Sequence, residues 1–219
     1  MKDNTKFLGF YGIGQTDICI YTASVLQNMG FSVAVYDNSY EGATEFCIPH
    51  PEEVLSPVNY KKIDYYRLKK PADRAIDYDF ICIDMGVWPE RQVLSECDSK
   101  ILVLDPALSI LSKYREYMKI SAQPTRVVLR GIDHDMVPVK KVKHLLEEEN
   151  PFVECFEVLH VSDEDEILRI SMQYYGFRDF MRISKDMERV IRGIVEDATG
   201  EKTIVVSKAL TRARRGACA

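Results

Sequence analysis

The chain has 219 residues, 46% hydrophobic and 29% charged, enough for a sizeable core, and its formal net charge of −5 gives no global reason to bind nucleic acid. No apolar run approaches the roughly 18 residues of a membrane span, and the N-terminal MKDNTKFLGFYG lacks a secretory pattern. Six cysteines without a C-x-x-C pair argue against a zinc or redox centre and fit a reduced, cytoplasmic protein.

In chain order, KFLGFY (6–11) reads as a short apolar strand. Residues 16–29 read as a helix, with Ile20, Ala23, Leu26 and Met29 at three-residue steps and a stop at Gly30. FSVAVYD (31–37) is a second strand, rich in β-branched and aromatic residues. Residues 38–76 are irregular and punctuated by Pro49, Pro51, Pro57 and Pro71, with one short strand candidate at IDYYRL. YDFICID (78–84) is nearly continuously apolar, as a central strand buried on both faces would be, and closes on Asp84-Met85-Gly86. There follow a helix over 89–97, a strand over 100–105, a helix over 109–120, a strand over 125–131, a helix over 139–149, a strand over 153–161, and helices over 163–174 and 178–197. Strands alternating with helices predict an α/β fold: a mostly parallel sheet with helices on both faces, in three layers. The expected organisation is one domain over 1–200 and a flexible basic tail over 201–219, with Lys208, Arg212, Arg214 and Arg215.

The first strand-to-helix turn carries the chemistry. Gly9-Phe10-Tyr11-Gly12-Ile13-Gly14-Gln15-Thr16 matches the phosphate-binding pattern G-x-x-x-x-G-K-[ST] at every fixed position except the lysine, which is Gln15. Such a turn places backbone N–H groups and a helix dipole around an anion. Gly9, Gly12 and Gly14 permit close backbone approach. The nucleotide-binding candidates are therefore Gly9, Gly12, Ile13, Gly14, Gln15, Thr16 and Asp17. The plainer alternative is a tight turn that only packs a helix on a sheet.

The order and spacing of these pieces over residues 6–180 resemble the ParA/MinD family of deviant P-loop ATPases, which position plasmids, division sites and secretion machines. The family's loop reads K-G-G-x-G-K-[ST]-[ST]; the same register here is Phe10-Tyr11-Gly12-Ile13-Gly14-Gln15-Thr16-Asp17. The Asp-x-Asp after the family's second strand is matched by Asp37-Asn38-Ser39, and its YDYIIID-x-G strand by YDFICIDMG. ILVLDP and VVLRG stand where the family has an LVV-x-P strand and an apolar strand ending in Asn-Arg, with Arg130 at the asparagine. The resemblance implies ATP or ADP with magnesium as cofactors, Thr16 and Asp84 as metal ligands, Asp37 and Gly86 as switch-like residues, and a homodimer across the nucleotide face.

Three departures fall together. The signature lysine is Phe10, the P-loop lysine is Gln15, and the water-positioning aspartate is Ser39. A hydrogen bond to a charged group contributes about 1.5–3 kcal/mol, so losing the P-loop lysine weakens nucleotide binding roughly 10- to 100-fold. Hydrolysis depends on positioning and charge neutralisation and suffers more. The implied function is a non-hydrolysing scaffold or positioning factor with weak or no nucleotide binding, with localisation factors of Tad-type pilus assembly as an analogy; the alternative is a functional ATP-binding switch or slow ATPase for intracellular positioning or pilus or secretion assembly. Phe10 and Tyr11 are expected to present an aromatic interface. The partners expected are a second copy, a protein of an assembly or positioning machine, and weak membrane or nucleic-acid contact through the basic tail. The last would place the protein at the membrane periphery.

Elsewhere, Asp133-His134-Asp135 reads as a solvated loop, His144 and His160 as structural residues without partners, and the DEDE run after Ser162 as a helix start suited to the dipole.

Overall fold

A computed structural model describes residues 5–49, 57–66, 77–120, 124–133, 137–147 and 155–216. Eight strands form one sheet in the order β3-β4-β2-β5-β1-β6-β7-β8. They are β1 (Lys6–Gly12), β2 (Val33–Asp37), β3 (Val58–Tyr60), β4 (Ile63–Tyr66), β5 (Phe80–Asp84), β6 (Ser99–Leu104), β7 (Arg126–Ile132) and β8 (Cys155–His160). Every pairing is parallel except that of β3 with β4. The helices are α1 (Thr16–Asn28), α2 (Ala43–Cys47), α3 (Arg91–Ser95), α4 (Leu108–Ile120), α5 (Val139–Glu147), α6 (Asp163–Tyr175), α7 (Lys185–Thr199) and α8 (Thr203–Arg214).

Two cores flank the sheet. Alternate residues of the central strands enter each, because successive side chains of a strand point to opposite faces. Leu8 and Phe10 join α1, α7 and α8 on one side; Tyr11, Ile81 and Ile83 join Leu94, Leu111 and Leu146 on the other. Helix α1 is buried along its whole length, between the sheet and the pair α7 and α8. Its last turn holds no basic residue. Arg212 of α8 supplies one, donating to the Asn28 carbonyl at 2.7 Å, where a cation offsets the negative end of the dipole.

The irregular stretch contains more structure than expected. IDYYRL holds β4, but β3 forms an antiparallel hairpin with it, and α2 is a further short helix. The helix expected from 178 starts instead at the Ser184 N-cap, whose hydroxyl accepts from Met187 N–H. The preceding segment is held as a loop because Phe177 and Phe180 dive into the core, where Phe180 stacks on Tyr21 at 4.5 Å. His160 is not without a partner: its Nδ1 meets the Asp186 carboxylate at 2.5 Å. His134 and Asp135 lie outside the described residues.

The expected flexible tail is corrected outright. Residues 203–214 are helix α8, which docks through Val206, Ala209, Leu210 and Ala213, all at most 1% exposed. Its arginines are used inside the fold: Arg214 donates to Glu188 at 2.7 Å, and Arg212 caps α1. Leu210→Ala should therefore cost about 2–4 kcal/mol of stability, read as a lower urea midpoint. A midpoint equal to that of the wild type would show that α8 is not docked in solution.

Candidate functional site

The site lies at the C-terminal ends of β1 and β5, where open parallel sheets bind ligands. Gly12 ends β1 with φ +113°, and a Cβ there would lie 1.9 Å from the Val103 carbonyl oxygen. Only glycine closes the strand onto β6 this tightly. The Gly12 N–H donates to Gly86 O and the Ile13 N–H to Val103 O, both at 2.9 Å. The next four N–H groups, from Gly14 to Asp17, have no acceptor among the described residues. They surround the start of α1, where a helix leaves its first donors unpaired and its dipole is positive. This is an anion cradle.

Asp84 ends β5 and is fully buried. Its Oδ1 accepts from Gln15 Nε2 at 2.7 Å and from the Gly86 N–H at 3.1 Å. Its Oδ2 accepts from Thr16 Oγ1 at 2.7 Å and from Thr44 Oγ1 at 3.0 Å. All four donors are neutral. Burial pushes the Asp84 carboxyl up, the Gln15 and Thr16 hydrogen bonds pull it part of the way back, and it stays above the usual range.

Thr44 reaches Asp84 because Asp37 folds the chain back. The Asp37 carboxylate accepts from Ser39 N–H at 3.0 Å, Ser39 Oγ at 2.6 Å and Thr44 N–H at 3.0 Å. Ser39 is thus buried against Asp37, and its own oxygen accepts from the Gly42 N–H at 2.9 Å.

A second brace crosses the loop on the far side. Arg130, at the end of β7, makes two parallel hydrogen bonds of 2.8 Å to the fully buried Asp17 carboxylate and a third to the Gly14 carbonyl. Burial alone would lower the guanidinium's pKa, but Asp17 more than offsets this and holds it above its usual value.

Between the loop, α2 and α6 opens a cleft of about 190 Å³. Residues 12–17 form its floor, Glu41 and Cys47 one wall, and Arg169, Met172 and Gln173 of α6 the other. Burial pushes the Cys47 thiol up to about 12, so it faces the cleft as a neutral group.

No protein-family model matches this sequence, and no curated protein is similar to it. Solved structures are similar. A MinC:MinD cell division protein complex of Aquifex aeolicus is matched with TM-score 0.66 at 13% identity, over 91% of this chain and 97% of that one. An ATP complex of a variant of McdA from Cyanothece is matched with TM-score 0.60 at 12% identity, over 91% and 98%. A plasmid partition protein of Borrelia burgdorferi bound to AMPPNP is matched with TM-score 0.54 at 14% identity, over 88% and 98%. The chain has the fold of the ParA/MinD P-loop ATPases.

In this fold Gly12 to Asp17 make the turn from β1 into α1, and Asp84 closes β5 beside it. Gly9 lies within β1, where a Cβ would meet Met85 and Cys97 at 2.9 Å, so it shapes the packing under the loop and not the cleft. Thr16 lines the cleft, yet its hydroxyl is committed to Asp84. Each oxygen of Asp84 already accepts two hydrogen bonds, and the residue does not reach the cleft wall. The arrangement fits a phosphate on the backbone cradle and leaves neither oxygen of Asp84 open to magnesium. Gly86 links the two strands, its carbonyl on Gly12 and its N–H on Asp84.

The expectation for Phe10 and Tyr11 is corrected. Both are fully buried, one in each core, because β1 is central and covered on both faces. Exposed aromatic residues adjacent in sequence to cleft-lining residues include Tyr40, Phe46, Trp88 and Tyr174. Sequence reading also missed Thr44, Glu41 and Arg169, which lie in segments that carry no recognised motif.

Both braces can be tested through stability. Asp17→Ala strands the Arg130 charge and should cost about 3–5 kcal/mol, whereas Asp17→Leu with Arg130→Met should restore most of it. A double variant whose loss equals the sum of the Asp17→Leu and Arg130→Met losses, by urea denaturation, would show that the pair is not coupled. Gln15→Lys gives Asp84 a buried cation. In the wild type the raised Asp84 pKa makes stability fall as pH rises from the unfolded value of 3.8 towards the folded one. With a lysine partner that pKa is depressed and the slope reverses. The stability of the variant relative to the wild type should therefore grow as pH rises from below the unfolded value of 3.8 through the raised folded one; a constant difference would show that residue 15 does not sense the Asp84 charge.

Proposed function

We propose that this chain is a non-hydrolysing positioning or assembly protein built on a ParA/MinD-type P-loop, with weakened nucleotide binding. One observation carries the reading: the backbone cradle is kept, while the side chain at the lysine position is a neutral amide bonded to Asp84. A phosphoryl-transfer site works by positioning and neutralising charge. This one lacks the P-loop cation and the water-positioning carboxylate, and its Walker B oxygens are saturated by neutral donors.

The partner in this reading is a second copy of the chain or a protein of the positioned machine, meeting the cleft end of the sheet. Tyr40, Phe46 and Trp88 support it, since exposed aromatic side chains favour interfaces. The MinC:MinD structure is of a protein–protein complex on this fold. The basic residues of α8 carry less of the function than the sequence suggested, because Arg212 and Arg214 serve the fold.

Calorimetry with ATP and ADP, with and without magnesium, and light scattering alongside, tests the reading. Weak binding without turnover is expected, with little gain from magnesium. Gln15→Lys should tighten ADP binding about 10- to 100-fold. Robust magnesium-dependent hydrolysis that disappears in Thr16→Ala would overturn the proposal in favour of a working ATP-dependent switch.

A further inference from the structure

The cleft has a charge pattern that the P-loop does not explain. Among the described residues, Arg169 is the one cationic side chain on its wall; Arg130 is committed to Asp17 and does not line it. Glu41 faces the same space. An anion on the cradle would thus meet backbone dipoles, one carboxylate and one guanidinium.

Arg169 comes from α6, across the cleft from the loop. Its Nε and Nη2 bind Glu166, one turn back on the same helix, at 2.9 and 2.5 Å. Its third nitrogen, Nη1, has no partner among the described residues. The side chain is 32% exposed and that of Glu166 52%, so this is a water-accessible pair within one helical turn, which contributes little to stability. Arg169 is therefore a held but easily released cation. A guanidinium fork matches a phosphate with two parallel hydrogen bonds, as it now matches Glu166. Gln173, one turn further along α6, adds an amide to the same wall.

We propose that Arg169 is the phosphate-recognising cation of this cleft, supplied from α6 in place of the lysine that Gln15 replaces, and that Glu166 holds it when no anion is present. The ligand class is the phosphate end of a nucleotide. The inference rests on the reading of the cleft as a weakened nucleotide site, and it goes further by naming the residue on which the remaining affinity depends. It also places the charge contact on a helix packed against α2, so an anion would tie α6 to the P-loop.

The test is calorimetric titration of ADP, and separately of inorganic pyrophosphate, into the full-length wild type, Arg169→Gln and Glu166→Gln, at low and high salt. Arg169→Gln should bind both probes about 10- to 100-fold more weakly and lose much of the salt dependence. Its melting temperature should match that of the wild type, because the pair it breaks is exposed. Glu166→Gln, with Arg169 unheld, should bind several-fold more tightly; weaker binding would overturn the holding role. Equal affinity of Arg169→Gln and wild type would overturn the assignment while leaving the nucleotide reading intact. A wild type silent to both probes at millimolar concentration would overturn both.

Discussion

The buried carboxylate of Asp84 is the constraint around which this end of the molecule is arranged. A carboxylate with no exposure to water must be satisfied by the protein, and an opposite charge is the usual means. Here residue 15 is a glutamine, so four neutral donors take that role, drawn from the P-loop, α1, α2 and the turn after β5. The requirement propagates. Thr44 can serve only if the chain after β2 folds inward, and that fold is set by Asp37, which holds Ser39 and the start of α2. Gln15 and the inward fold of residues 38–45 are thus linked through a single carboxylate.

Asp17 and Arg130 show the complementary solution. Asp17 is as deeply buried as Asp84 but has a charged partner with ideal fork geometry. The brace spans 113 residues of sequence and fixes the first turn of α1 to the end of β7. With Gly12 pinned between Gly86 and Val103, the P-loop is held at both ends by protein contacts.

The sheet was legible in the sequence because a parallel strand buried on both faces leaves a continuous apolar run, as in FICID of β5, and because glycine marks the turn that follows β1. Phe10 and Tyr11 were misplaced although the same rule applies to them: in a central strand, both alternating positions face a core. The C-terminal helix was misread because three arginines outweighed an apolar period, Val206, Ala209, Leu210 and Ala213, that is helical. The site was legible only where it is local. The glycines and Thr16 follow one another in the chain, and Asp84 closes a recognisable strand. Thr44 and Arg169 have no such signal: one sits in a five-residue helix, the other on a face of α6 that only tertiary packing turns towards the P-loop.

A ligand shifts a conformational equilibrium only by binding one state better than the other. In this protein Asp37 and Thr44 hold residues 38–45 against Asp84. A magnesium ion would have to displace hydroxyl or amide donors from Asp84 before gaining a ligand there, which removes much of the advantage a metal–nucleotide complex would have for the closed form. The part of the cleft still free to respond is the opposite wall, where α6 carries Arg169 on a weak, exposed pair.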